Sequence, residues 1–119
     1  WSRAEQSRID ALVRAWRPTV AEAAVTIDGG IDRPALEQGM SAALFTAAQA
    51  AAVDLGLRPL EERAVGGASD GNLTADAGVP TLDGLGAVGD GAHADHEWAS
   101  IPALAERAAL TAALLRRLL

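Results

Sequence analysis

Apolar residues at Ile9, Leu12, Val13 and Trp16 recur with helical spacing, and Ser2 and Glu5 stand in capping-box relation. The pattern predicts an amphipathic helix from about Arg3 to Trp16, stopped by Pro18. Ala23 to Asp28 carries the β-branched Val25, Thr26 and Ile27 and runs into Gly29-Gly30, which predicts a strand and a turn. Arg33-Pro34 marks a second turn. The alanine-rich stretch from about Ser41 to Leu55 predicts a helix that Gly56 ends in a left-handed conformation, and its shortage of charge predicts burial on several sides. Glu61 to Val65 and Val79 to Leu82 read as short strands, with a brief helix between them capped by Ser69 or Asp70 and ending near Gly78. Asp83 to Asp95 holds too much glycine for a regular element and reads as a loop. Ser100, Pro102, the leucines Leu104, Leu110, Leu114, Leu115 and Leu118, and Arg116-Arg117 near the end predict a carboxy-terminal helix whose charges suit its dipole. Helices alternating with strands in this order predict an α/β layer.

Composition narrows the picture. With 119 residues the chain is long enough for one domain with a modest core. Half of the residues are apolar but only Trp1, Trp16, Phe45 and Trp98 are aromatic, so the interior must be built from alanine, leucine and valine, which suits helices packed closely through small side chains. The net charge is −6, every basic residue is arginine, and no basic run exceeds Arg116-Arg117; no nucleic-acid or acidic-lipid partner is expected. Without cysteine there is neither a disulfide framework nor a thiolate metal site. No apolar run is long enough to span a bilayer and no signal peptide is recognisable, so cytoplasm is the default expectation. Trp1 leads straight into a helical pattern with no initiator methionine, which suggests a fragment of a longer polypeptide.

Three stretches hold candidate chemistry. VGDGAHADHEW, Val88 to Trp98, gathers both histidines, His93 and His96, among Asp90, Asp95 and Glu97. Imidazole suits zinc and other divalent metals, with carboxylates as further ligands or orienters, but the residues by themselves read more readily as a solvent-facing polar loop. The H-x-x-H spacing is not the H-E-x-x-H signature, and one loop falls short of the three protein ligands a catalytic zinc site usually takes. Gly66 to Asn72, GGASDGN, could cradle a phosphate or carboxylate with free N–H groups at a helix start, or be a plain turn. Arg33 is a natural partner for a substrate carboxylate, or else a solvated turn residue.

In this order IDRPALE, GGASDGN, GVPTLDGLGAVGDGAHADHEW and a leucine-rich final helix resemble the carboxy-terminal segment of the zinc-dependent glutamate carboxypeptidase family. Its superfamily includes aminoacylases, acetylornithine deacetylases and succinyl-diaminopimelate desuccinylases. The resemblance covers the chain from about Val25, and the first helix resembles the last helix of the family's lid, or dimerisation, domain. It implies an α/β fold: residues 1–30 end the lid domain, and residues 31–119 form the carboxy-terminal part of a three-layer zinc-peptidase catalytic domain. It implies two divalent metal ions, zinc by family habit, in the full-length parent, with His93 as the last metal ligand and the other ligands and a glutamate general base in a missing amino-terminal half. It also implies that Arg33 binds the substrate carboxylate, that Ser69, Asp70 and Asn72 line the substrate cleft, that Asp95 and Glu97 orient or cap, and that His96 is a bystander. Asp90 departs from the family's usual glycine, and Ala35 from a second proline.

The implied reaction is hydrolysis of an amide bond next to a carboxylate in a small peptide or N-acyl amino acid, by a parent that dimerises through its lid. The 119 residues alone would then be inactive. The alternative is a non-catalytic binding or assembly module that kept the α/β scaffold.

Overall fold

The computed structural model describes residues 2–119; Trp1 lies outside them. Six short elements follow one another: α1 (Arg3–Ala15), α2 (Gln38–Asp54), α3 (Gly71–Asp76), β1 (Gly89–Asp90), β2 (Trp98–Ala99) and α4 (Ile101–Leu118). The four helices stand where the hydrophobic pattern puts them, α2 beginning three residues before the expected Ser41.

Local chemistry accounts for their ends. The Ser2 hydroxyl accepts from the Glu5 N–H at 3.2 Å and caps α1. Gly56, at φ +66°, turns the chain out of α2, and the next N–H, of Leu57, reaches back to the Ala52 carbonyl at 2.9 Å. Gly78, at φ +82°, does the same for α3 through Val79 and Thr74. Ser100 caps α4 by accepting from the Ala103 N–H at 3.4 Å, with Pro102 in the first turn and Arg116 and Arg117 in the last.

The core lies between α2 and α4. Leu110 is fully buried against Ala51 and Ala52, with Leu57, Leu60, Leu85 and Ala113 packed around them. Alanine on α2 lets the two helices approach closely, as the composition implied. Burial of α2 is one-sided, however: Ala48, Ala51 and Ala52 are enclosed while Val53 is 73% exposed, so the expectation of burial on several sides fails for want of a second covering layer.

The three expected strands do not form. Ala23 to Asp28, Glu61 to Val65 and Val79 to Leu82 are irregular, because a strand needs hydrogen-bonding neighbours and none lies alongside. The sheet consists instead of β1 and β2, antiparallel, pairing Gly89 with Ala99 and Asp90 with Trp98, within and beside the segment expected to be pure loop. A Cβ on Gly89 would fall 2.0 Å from the Trp98 carbonyl oxygen, so glycine there is a requirement of the pairing rather than a sign of looseness. Mixed helix and strand are present, but no three-layer arrangement is assembled among the described residues.

The molecule is extended. Its radius of gyration is 19.1 Å, against roughly 13–14 Å for a compact chain of this length. Its accessible surface is 8880 Å², where about 6,000 Å² suffices for a folded monomer of this mass. The excess is apolar in part: Ile9, Leu12, Val13 and Trp16 form the intended stripe on α1, and although Val25, Ile27 and Ile31 stand across from it, all four remain about half exposed. No helix among the described residues is long and apolar enough to cross a membrane.

Candidate functional site

Arg33 stands on a turn whose backbone is held from two sides. The residue before a proline is restricted to extended conformations, and Pro34 imposes that on Arg33. From α1, the Gln6 amide donates through Nε2 to the Arg33 carbonyl at 3.0 Å and accepts at Oε1 from the Ala35 N–H at 2.6 Å. From α3, Asn72 Nδ2 donates to the Pro34 carbonyl at 2.8 Å. The guanidinium then reaches Asp70, Nη1 to Oδ1 at 2.8 Å, with Asp32 beside Nε at 3.8 Å, beyond hydrogen-bond reach.

The GGASDGN stretch is knitted into this turn. The Ser69 N–H donates to Asn72 Oδ1 at 2.9 Å, while the Ser69 hydroxyl donates to Asp83 at 2.6 Å and accepts from the Gly71 N–H at 3.0 Å. A side chain at Gly71 would be tight, since a Cβ would lie 3.0 Å from the Ser69 hydroxyl and 3.3 Å from Thr81 Cγ2. The structure thus brings Arg33, Ser69, Asp70 and Asn72 together, as a single cleft would need.

Of the two readings of the start of α3, the plain turn is the one its hydrogen bonds favour, because its leading N–H groups are already engaged. Those of Gly71 and Asn72 go to Ser69, and those of Leu73 and Thr74 go to the Asp70 carbonyl. Asp70 stands at the N-cap but its side chain does not cap; it turns to Arg33 instead. An open groove of about 520 Å³ runs between α1 and residues 27–33, with Gln6, Ile9, Val13 and Ile27 along it and Arg33 in its lining.

His93 sits apart, in the connection between β1 and β2. Hydrogen bonds from the Ser100 N–H to the Val88 carbonyl (2.8 Å), Ala94 to Gly91 (2.8 Å) and Glu97 to Ala94 (2.9 Å) shape the loop. Glu97 Oε2 accepts from the His93 N–H at 3.3 Å, so Glu97 caps the turn. Asp90 accepts from the Gly91 N–H at 2.7 Å. The His96 ring packs beside Gly91, where a Cβ would meet Cδ2 at 2.9 Å.

His93 itself has φ +68° and is the only non-glycine residue among the described ones in the left-handed region. That conformation costs an L-residue about 1–2 kcal/mol, and such strain gathers where geometry serves a function. Its side chain is exposed. Among the described residues no three histidine, aspartate or glutamate side chains converge to hold a metal ion, so the donor set here does not fit a self-contained metal centre.

Arg107 escaped the sequence reading. From α4 it donates Nη2 to the Gly84 carbonyl at 2.7 Å and Nε to the carbonyls of Leu85 and Gly86 at 3.2 Å each, pinning the glycine-rich approach to β1. The signal was present in principle: glycine-rich backbone bares carbonyls, and a cation on the neighbouring helix can collect them. Arg107→Met should cost about 1–3 kcal/mol of local stability and speed amide exchange of residues 84–92 while leaving α2 protected. Unchanged exchange in that loop would show the guanidinium to be dispensable there.

The model of peptidase family M20/M25/M40 matches residues 4–117, nearly the whole chain. The chain belongs to that family. No significant match exists among curated proteins or among solved structures. Membership in M20/M25/M40 makes this a chain of the metallopeptidase type, a hydrolase class that is in general metal-dependent. The match extends through α1 and α4 alike, so it takes in the Arg33 turn and the His93 loop together.

Proposed function

We propose that this chain supplies the substrate-carboxylate subsite and one metal ligand of a two-metal amidohydrolase. The enzyme would cleave an amide bond next to a carboxylate, as in a carboxypeptidase or an N-acyl amino acid deacylase. The observation that carries this reading is His93: an exposed imidazole, held at a positive φ on a hairpin connection and outside any group of three or more ligand side chains among the described residues, in a chain of a metal-dependent family. A lone ligand presented at a conformational cost makes sense as one share of a site completed from outside these residues. The remaining ligands and the general base would come from a separate amino-terminal half, and the apolar excess of surface supports a reading in which this chain packs against more protein.

Arg33 has the complementary role. Its Nη1 is taken by Asp70, which leaves the Nε and Nη2 edge to receive a carboxylate through two parallel hydrogen bonds. Asn72 and Ser69 serve by holding the turn, since their polar groups are spent on Pro34, Asp83 and each other. Zinc remains the metal proposed on grounds of family resemblance, and a lid-mediated dimer of the parent likewise.

An N-acyl amino acid and its carboxamide test this. Arg33→Gln in the metal-loaded hydrolase containing this chain should raise KM for the acid about 10- to 100-fold, the loss of a charge-assisted pair, and barely move KM for the amide. Equal effects on both would remove Arg33 from carboxylate recognition.

A further inference from the structure

Gln6 lies on α1, in a helix that contributes no other side-chain hydrogen bond to the Arg33 turn, and nothing in its own neighbourhood of the sequence points to a site. Yet it makes the only described hydrogen bonds from α1 to the backbone on either side of Pro34. The two bonds, at 3.0 and 2.6 Å, are made by one planar amide, which fixes the Arg33 carbonyl and the Ala35 N–H relative to each other as well as to α1. Ala35 is buried, and a buried N–H left without its partner is costly.

The helix that carries Gln6 is itself anchored one turn earlier. The Arg3 N–H donates to Glu37 at 2.8 Å, and the Arg3 guanidinium pairs with Asp76 of α3 at 2.9 Å. Arg3 thus ties the start of α1 to Glu37, at the N-cap of α2, and to the end of α3, one turn before Gln6 reaches the Arg33 turn.

We propose that Gln6 is a positioning residue for carboxylate recognition: it sets the Cα–Cβ direction of Arg33, and through it the free Nε and Nη2 edge, by clamping the peptide units flanking Pro34. The inference rests on the assignment of Arg33 to the substrate carboxylate. Four constraints meet at this residue: the proline restricts its backbone, Gln6 holds its carbonyl, Asn72 holds the next carbonyl, and Asp70 holds Nη1. Of these, the Gln6 clamp alone connects the guanidinium to α1, so a shift of that helix is passed directly to the recognition edge. Two-point carboxylate binding has narrow angular tolerance, and misplacement by about 1 Å is enough to lower efficiency by as much as 100-fold.

The test compares three substitutions in the metal-loaded hydrolase containing this chain, with an N-acyl amino acid and its carboxamide as substrates. Gln6→Met keeps the length and packing of the side chain but removes both hydrogen bonds. Gln6→Glu keeps the acceptor for Ala35 and loses the donor to Arg33. Both should raise KM for the acid about ten-fold, with kcat changed less than KM and the amide unaffected. Arg33→Gln is run beside them. If it raises KM for the acid while both Gln6 variants leave it unchanged, the positioning role is overturned and the Arg33 assignment stands. If Arg33→Gln itself has no selective effect on the acid, the assignment falls and the positioning role falls with it. If the Gln6 variants lower thermal stability and reduce kcat for acid and amide alike with no selective rise in KM, Gln6 is structural only and the proposal is overturned.

Discussion

His93→Ala is expected to lower the rate of the metal-loaded hydrolase by at least about 100-fold, since loss of groups that merely orient a ligand already costs 10- to 100-fold. The same substitution should be almost silent in a different measurement. Calorimetric titration of zinc into the 119-residue chain at neutral pH should show weak binding, nearly equal for the wild type and the variant. The reason is geometric: no three ligand side chains converge among the described residues, and a single imidazole cannot hold the ion tightly. Tight one-to-one binding lost on substitution would mean that the loop builds its own site, and the shared-site reading would be wrong. A rate unaffected by His93→Ala would remove the residue from the metal centre.

Leu110→Ala carries the largest expected effect on stability. Leu110 is the one large side chain fully enclosed, and it joins α4 to the alanine face of α2. Truncating a buried leucine costs about 2–5 kcal/mol through lost transfer energy and the cavity left behind. An ordinary domain has only about 5–15 kcal/mol in total, and this chain leaves much of its apolar surface in water, so it belongs at or below the low end. Far-UV circular dichroism during denaturant titration should show a marked loss of cooperative helix. Leu104→Ala, on the same helix at 44% exposure, should stay within about 0.5 kcal/mol of the wild type. Equal behaviour of the two variants would place the core somewhere other than the α2–α4 contact.

The family resemblance read from IDRPALE through HADHEW matches the family to which the chain belongs, though the particular subfamily remains a proposal. Much of the candidate site was legible as residue types: Arg33, Ser69, Asp70 and Asn72 were named from separate stretches, and folding brings them within hydrogen-bond distance of one another or of the turn. What each does was less legible. The hydrogen bonds of Ser69 and Asn72 tie loops together, and the N–H groups that open α3 are engaged by Ser69 and Asp70, neither of which the residue types alone disclose. Gln6 and Arg107 went unnoticed because a polar residue on an amphipathic helix ordinarily faces water. Their roles depend on which backbone lies opposite, and that backbone is 29 residues away for Gln6 and Ala35, and 23 for Arg107 and Gly84.

The same distinction separates the elements. The sequence alone determined the four helices and their ends at Ser2, Gly56, Gly78 and Ser100, because a helix satisfies its hydrogen bonds within a few residues and its caps lie inside that range. Strands satisfy theirs only through neighbours supplied by the rest of the fold. Val25 to Ile27 therefore kept its β-forming composition without becoming a strand, whereas Gly89-Asp90 and Trp98-Ala99, which no propensity favoured as a pair, became the sheet because the turn between them brought them together. Tertiary structure likewise decided the setting of Arg33, since its carbonyl is held by Gln6, 27 residues away, whereas the contact made by the left-handed His93, with Glu97, is local.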